Sequence, residues 1–274
     1  MIVIAVLLAS PWPARAQDFV SASIAGPSPS PLVLLEDGLP SGRTGIAAEA
    51  SVTRWWGLPD LATRSVAIGA SFRSLRCAGG ISQTGEADLG WSSAGVALGA
   101  AGDSWGVALR GVARRDRDRD AVSSALGPGL GAEAGAGAFI EPSPGLAGWA
   151  SAPQLWTRGL APPLTRALEI GGRASVDDFI VWLAQRAAPR TGAGSGVRTL
   201  GIALSIFPLR VWVEARNHPL RGTAGVEARA GGLSAGLEIE SHPALGETVR
   251  VSLGWGAKQS MASADRGDSD ADTR

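Results

Sequence analysis

LRVWVEARNHPLRGTAGVEAR, Leu209 to Arg229, holds two segments in which apolar and polar residues alternate strictly. In the first, Leu209, Val211, Val213 and Ala215 interleave with Arg210, Trp212, Glu214 and Arg216; in the second, Val226 and Ala228 interleave with Gly225, Glu227 and Arg229. A period of two puts one set on each face of a β-strand. The pattern continues with Leu233, Ala235, Leu237 and Ile239 against Ser234, Gly236, Glu238 and Glu240. It ends with Val249, Val251, Leu253 and Trp255 against Thr248, Arg250, Ser252 and Gly254. The connections are short, so these four strands form an antiparallel meander. Two matched hexamers punctuate it, NHPLRG at Asn217–Gly222 and SHPALG at Ser241–Gly246, with Pro fixing φ and Gly permitting the return. His218 and His242 therefore stand 24 residues apart, one hairpin repeat.

Read the same way upstream, Val66, Ile68, Ala70 and Phe72 share a face, as do Trp105, Val107 and Leu109. Further strands are expected near 44–53, 64–73, 76–83, 88–101, 104–115, 131–142, 145–157, 166–176, 178–188 and 197–207. The total is 12 to 14. The segment from Asp178 to Ala188 also fits a helical face, through Phe179, Ile180, Leu183, Ala184 and Ala187.

The ends differ from this middle. Residues 1–16, MIVIAVLLASPWPARA, combine an apolar run with an A-x-A site and read as a signal peptide, so export is expected. Residues 17–43, rich in Pro, Ser and Gly with an apolar patch at Leu32 to Leu35, read as an irregular N-terminal segment, either a linker or a piece folded back onto the domain. The β-barrel domain is expected over 44–256 and a disordered polar tail over 257–274.

Composition narrows the class. With 38 Gly, 10 Trp, no Tyr and five Phe, few bulky groups are available to fill a conventional core. A net charge of zero removes the electrostatic case for nucleic acid. One cysteine, Cys77, excludes an intrachain disulfide framework. Two architectures fit the alternation. A soluble secreted sandwich buries its apolar faces against each other. An antiparallel up-and-down transmembrane barrel turns them to lipid and its polar faces to the lumen. The barrel is favoured by mixed charge on the polar face, where Arg210, Glu214, Arg216, Glu227, Arg229, Glu238, Glu240 and Arg250 are expected to line the lumen as a charge-balanced constriction. Gly, Ala and Ser at the inward positions of earlier strands leave room inside. Trp55, Trp56, Trp91, Trp105 and Trp255 fall near strand ends, where an interfacial aromatic belt belongs.

The phrases VWVEARNHPLRGTAGVEAR and GLEIESHPALGETVRVSLGWG resemble strand-turn-strand phrases of Gram-negative outer-membrane barrels, broadly the group that includes the long-chain fatty-acid transporters and the type IX secretion barrel. The resemblance implies about 14 strands, an N-terminal segment able to occupy the lumen, and passage of hydrophobic solutes or a scaffolding role. It also implies outer-membrane lipid and the barrel-assembly machinery as partners. The chain departs from the group in having WWGLPDL, Trp55 to Leu61, where those families carry Asn-Pro-Ala, and a polar tail after Trp255. Nothing in the sequence speaks to oligomeric state.

Candidate chemistry is thin, and neither a cofactor nor a metal is expected. Asn217-His218 invites comparison with a Ser-His-Asn hydrolase, yet it precedes Pro219 at a turn with no serine in a nucleophile context. His218 and His242 lie two strands apart, about 10 Å, too far for shared ligation. In RRDRDRD, Arg114 to Asp120, arginines neutralise the alternating aspartates and Ala121 stands where a calcium loop needs Gly. Arg266-Gly267-Asp268 spells an integrin-type tripeptide of the kind that arises by chance in a polar tail. Asp177 and Asp178 are adjacent, which on a strand sends them to opposite faces.

Overall fold

The structure is a computed structural model and describes residues 26, 28–40, 45–85, 90–116, 129–159, 168–187, 196–217 and 220–256. The signal peptide, the polar tail, His218 and most of the RRDRDRD run lie outside them. Fourteen strands form one sheet: β1 Gly45–Arg54, β2 Ala62–Phe72, β3 Leu75–Gly85, β4 Gly90–Ala101, β5 Trp105–Asp116, β6 Leu130–Ser143 and β7 Leu146–Arg158; then β8 Leu168–Val176, β9 Phe179–Ala187, β10 Val197–Ile206, β11 Leu209–Arg216, β12 Arg221–Ala230, β13 Leu233–His242 and β14 Gly246–Gly256. Each pairs antiparallel with its sequence neighbours, and β1 pairs with β14 from Ala47↔Gly256 to Arg54↔Val249, closing the barrel. One closed sheet is not two packed ones, so the sandwich alternative falls. The ambiguous segment after Asp178 is strand β9, because its helical spacing yields to pairing on both sides.

The two rims differ. At one, six turns of two or three residues join β2 to β3, β4 to β5, and so on to β12 and β13. Gly231 and Gly232, at φ 57° and 90°, make the last of these turns in a conformation other residues adopt at a cost. Asp177 and Asp178 form another and are turn residues rather than a carboxylate pair on a strand. The opposite rim carries connections of three to 13 residues, the longest between β5 and β6. Only β6 and β7 break register, between Ala134 and Ala136 and between Ile140 and Ser143. Pro153, which has no N–H to donate, sits at the first of these bulges.

Facing follows the alternation. On β2, Val66, Ile68 and Phe72 are exposed while Ser65 and Ala67 are buried; on β11, Val211 and Val213 are exposed while Trp212 and Glu214 are buried. Large apolar residues thus cover the outside, the reverse of a soluble protein and the arrangement of a barrel in lipid. Residues 17–43 are not wholly irregular: Pro31–Asp37 is a helix, α1, which touches the inner face of every strand from β1 to β7.

In a Cys77→Ala background inserted into bilayers, Val213→Cys and Leu237→Cys should resist a membrane-impermeant maleimide that modifies Asp178→Cys within minutes. Equal reaction at all three positions would reverse the assigned facing.

Candidate functional site: an occupied lumen

The lumen is built from two unlike halves. On the β1–β7 side the inward residues are small, and α1 fills the space they leave. Its sequence, SPLVLLEDG, carries its own boundaries. The Ser30 hydroxyl accepts from the Val33 N–H at 3.2 Å, Pro31 opens the first turn, and Gly38 at φ 65° closes the last. Leu32, Leu34 and Leu35 pack on Ala67, Ala78, Ala97, Ala108 and Val112. A Cβ on Gly80 would lie 2.7 Å from Leu35 Cδ1, and one on Gly137 would lie 2.5 Å from the Gly38 carbonyl oxygen. Those glycines are where the helix fits.

Polar contacts clamp both helix ends. Ser30 donates to the Glu49 carboxylate on β1. Arg110 on β5 donates to the carbonyl oxygens of Leu35 and Pro153 and, at 2.6 Å, to Glu133 on β6, which also accepts from Gln154 at 3.2 Å. Ser151 on β7 donates to the Asp37 carbonyl at 2.6 Å. The last carbonyls of a helix lack intrahelical partners, and a buried cation there complements the dipole. Beside the plug, Ser252, Ser51, Ser65, Ser82 and Ser93 stand in register across β14 and β1–β4, a buried hydroxyl wall.

On the other side tryptophan supplies the bulk. Trp149, Trp182 and Trp212 point inward from β7, β9 and β11, and each stands opposite a glycine on the next strand: Gly171, Gly201 and Gly225. A Cβ on the glycine would overlap the indole, at 2.2, 2.1 and 2.1 Å from the nearest ring carbon at Gly171, Gly201 and Gly225. Two indole N–H groups reach carboxylates, Trp149 to Glu169 at 3.3 Å and Trp182 to Glu214 at 3.1 Å. These tryptophans join Val33 and Leu39 of the N-terminal segment and Phe139 of β6 in one buried cluster that crosses the lumen. It forms an apolar septum between the N-terminal segment and the wall from β6 to β11.

All eight charged residues singled out on β11–β14 lie on the inner face. Arg210 pairs with Glu227 at 3.5 Å, Arg229 with Glu227 at 2.8 Å, Arg216 with Glu214 at 2.5 Å and with Glu240 at 3.5 Å, and Arg250 with Glu238. Arg221 joins Glu240 at 3.0 Å, and Arg186 joins Glu169 at 2.6 Å; sequence reasoning had assigned none of Arg221, Arg186 or Glu169 to the wall. Beside these pairs, the buried cluster around Trp149, Trp182 and Trp212 adds apolar groups that the strand pattern alone does not place together.

The five tryptophans expected in an interfacial belt divide. Trp105 and Trp255 face outward near the short-turn rim, which also carries the exposed Phe72, Phe179 and Phe207. Trp91 is a correction: it faces inward, with the Arg114 guanidinium 5.4 Å from its ring centroid. Trp55 and Trp56 form a 3-10 turn after β1 at the long-loop rim, where the Trp55 indole donates to the buried Thr63 hydroxyl at 2.8 Å. An inner hydroxyl partner draws that indole away from lipid. His242 Nδ1 accepts from the N–H groups of Ala244 and Leu245 at 3.2 and 3.1 Å, which makes it a turn cap. Among the described residues no group of three or more His, Cys, Asp or Glu gathers to hold a metal.

The molecule so defined is a closed fourteen-strand barrel with an internal helical plug. No family model matches the sequence, and no curated protein matches it. Among solved structures it is similar to a mutant of the Rhodopseudomonas blastica porin, at TM-score 0.43 and 12% identity over 78% of this chain and 99% of that one. It is similar also to the KdgM porin, at TM-score 0.41 and 9% identity over 77% and 99%. Nothing in these comparisons supports the fatty-acid transporter or type IX group in particular.

Gly201→Val and Gly225→Val should each lower the unfolding free energy by about 1–3 kcal/mol, the cost of overpacking, in urea titrations of the folded band in detergent. Gly222→Val, with open space around its Cβ, should leave the midpoint unchanged; a matching loss there would sink the Trp–Gly account.

Proposed function

We propose that this chain is an outer-membrane barrel that passes small or amphipathic solutes without catalysis, and that its N-terminal segment closes the lumen in the state described. The observation that carries the reading is the contrast between two sets of inner arginines. Arg110, beside the plug, has 3% of its side-chain surface exposed, whereas Arg186, Arg216, Arg221 and Arg229 on the far wall retain 25–35% while still paired with glutamate. Water therefore reaches the paired charges of the far wall at these four arginines, while Arg250 and Glu238 beside them are buried. Such a wall suits polar groups, and the septum suits apolar ones. Short turns at one rim and longer connections at the other match the periplasmic and external ends of bacterial barrels. Residues 1–16 serve as the export signal in this reading, and the barrel-assembly machinery inserts the strands.

The clamp around α1 favours a second reading, a sealed barrel with a structural role. Conductance separates the two. Leu32 and Leu35 have no exposed surface, so a Leu32→Asp/Leu35→Asp variant places two carboxylates where burial costs several kcal/mol and should expel the helix. The wild type should hold planar bilayers near baseline and the double variant should give steady ion currents, with both proteins showing the same folded band. Baseline current from a variant whose segment has become protease-accessible would decide for the structural role.

A further inference from the structure

Two rows of side-chain hydroxyls line the inner wall on the long-loop side of the plug. Ser252, Ser51, Ser65, Ser82 and Ser93 stand in register across β14 and β1–β4, and Thr53, Thr63 and Thr84 stand in register across β1–β3, nearer the long-loop rim. All eight are buried. They begin where the contacts of the plug stop. Ser51 is the next inward residue after Glu49, which accepts from Ser30, and Ser82 is the next after Gly80, which lies against Leu35. Neighbouring strands are about 4.8 Å apart, so the serine row is about 19 Å long. The rows end at charged groups that are already held: Arg250, opposite Thr53, by Glu238, and Arg114, opposite Ser93, over the Trp91 ring at 5.4 Å.

Bonding capacity is distributed unevenly along this wall. From β9 to β14 the inward arginines pair with glutamates. Among the hydroxyls, Thr63 shares a hydrogen bond with Thr84 at 2.8 Å and accepts from the Trp55 N–H at 2.8 Å. Thr53, Ser82 and Ser93 have no hydrogen-bond partner among the described residues, although Ser82 and Ser93 stand directly opposite each other on β3 and β4. A buried hydroxyl without a partner is destabilising. These three are therefore groups that the closed fold does not use. A hydroxyl donates once and accepts twice, so it is matched by another hydroxyl. A carboxylate only accepts and an ammonium only donates, and either brings a charge that an uncharged row cannot compensate.

We propose that this hydroxyl wall, with Thr53, Ser82 and Ser93 as its open positions, binds neutral polyhydroxylated solutes, a sugar or a short sugar chain, once the N-terminal helix has left the lumen. The site rests on the passage reading above and names its solute class. It is tested on the full chain carrying Leu32→Asp/Leu35→Asp in planar bilayers, with maltotriose as the neutral probe and trigalacturonate and triglucosamine as its charged counterparts. Maltotriose should interrupt the steady current at a lower concentration than either charged sugar. Adding Ser82→Ala/Ser93→Ala should raise its half-blocking concentration about tenfold, while Ser92→Ala, on the opposite face of β4, should change nothing. In the plugged chain the same serine pair should be replaceable without lowering the urea midpoint, because neither hydroxyl is bonded there. Equal block by all three sugars, an equal shift in Ser92→Ala, a lowered midpoint, or a steady current that no sugar interrupts overturns the site while leaving the passage reading intact. Baseline current from the helix variant overturns the passage reading and the site with it.

Discussion

Closure between β1 and β14 is the constraint on which the rest of the molecule depends. Inside a bilayer an unpaired backbone N–H or C=O has no water to turn to and costs several kcal/mol, so a sheet that spans must have no edge. Eight paired positions, from Ala47↔Gly256 to Arg54↔Val249, remove the edge here. They join residues some 200 positions apart in sequence, and no local pattern marks them. Once they form, every strand has two neighbours, and the two faces of the sheet become an outside and an inside with separate requirements.

The inside must then be filled by a wall that lacks large aliphatic groups. It does so by two complementary devices. From β1 to β7 most inward positions are Gly, Ala, Ser or Thr, and much of the bulk comes from Leu32, Leu34 and Leu35 on a separate segment. From β7 to β12 the bulk is Trp149, Trp182 and Trp212, and glycine directly across the ladder receives each ring. A small residue opposite a large one packs without strain in both cases. The first device is a removable part and the second is fixed to the wall.

Much of the fold was legible because a period of two is a direct record of facing. Val211, Val213, Leu237 and Val251 declared an apolar surface, and Glu214, Glu238 and Arg250 a polar one, before any pairing was known. The helix was harder to see. Seven residues are too few to display a 3.6-residue period, and Pro-rich flanks suggested a linker, although Ser30, Pro31 and Gly38 are ordinary helix boundary signals. The Trp–Gly pairs were not legible at all, since Trp182 and Gly201 become neighbours only through the β9–β10 register. The same is true of the fate of Trp91 and Trp55, where an inner cation or hydroxyl outweighed the preference of indole for an interface.

Arginine shows how position in the sheet decides what one side chain does. Arg110 and Glu133 are buried together, and such a pair is kept because removing either member strands the other, a loss of about 3–5 kcal/mol. Its effect is positional: the guanidinium holds the Leu35 carbonyl, and through it the plug. Arg216 and Arg221 pair with Glu240 where water still reaches them, so their attraction is screened and they line a wall more than they lock it. Arg64 on β2 and Arg115 on β5 are exposed on the outer face and have neither arrangement among the described residues. One residue type thus locks the plug at Arg110 and lines a water-accessible wall at Arg216 and Arg221.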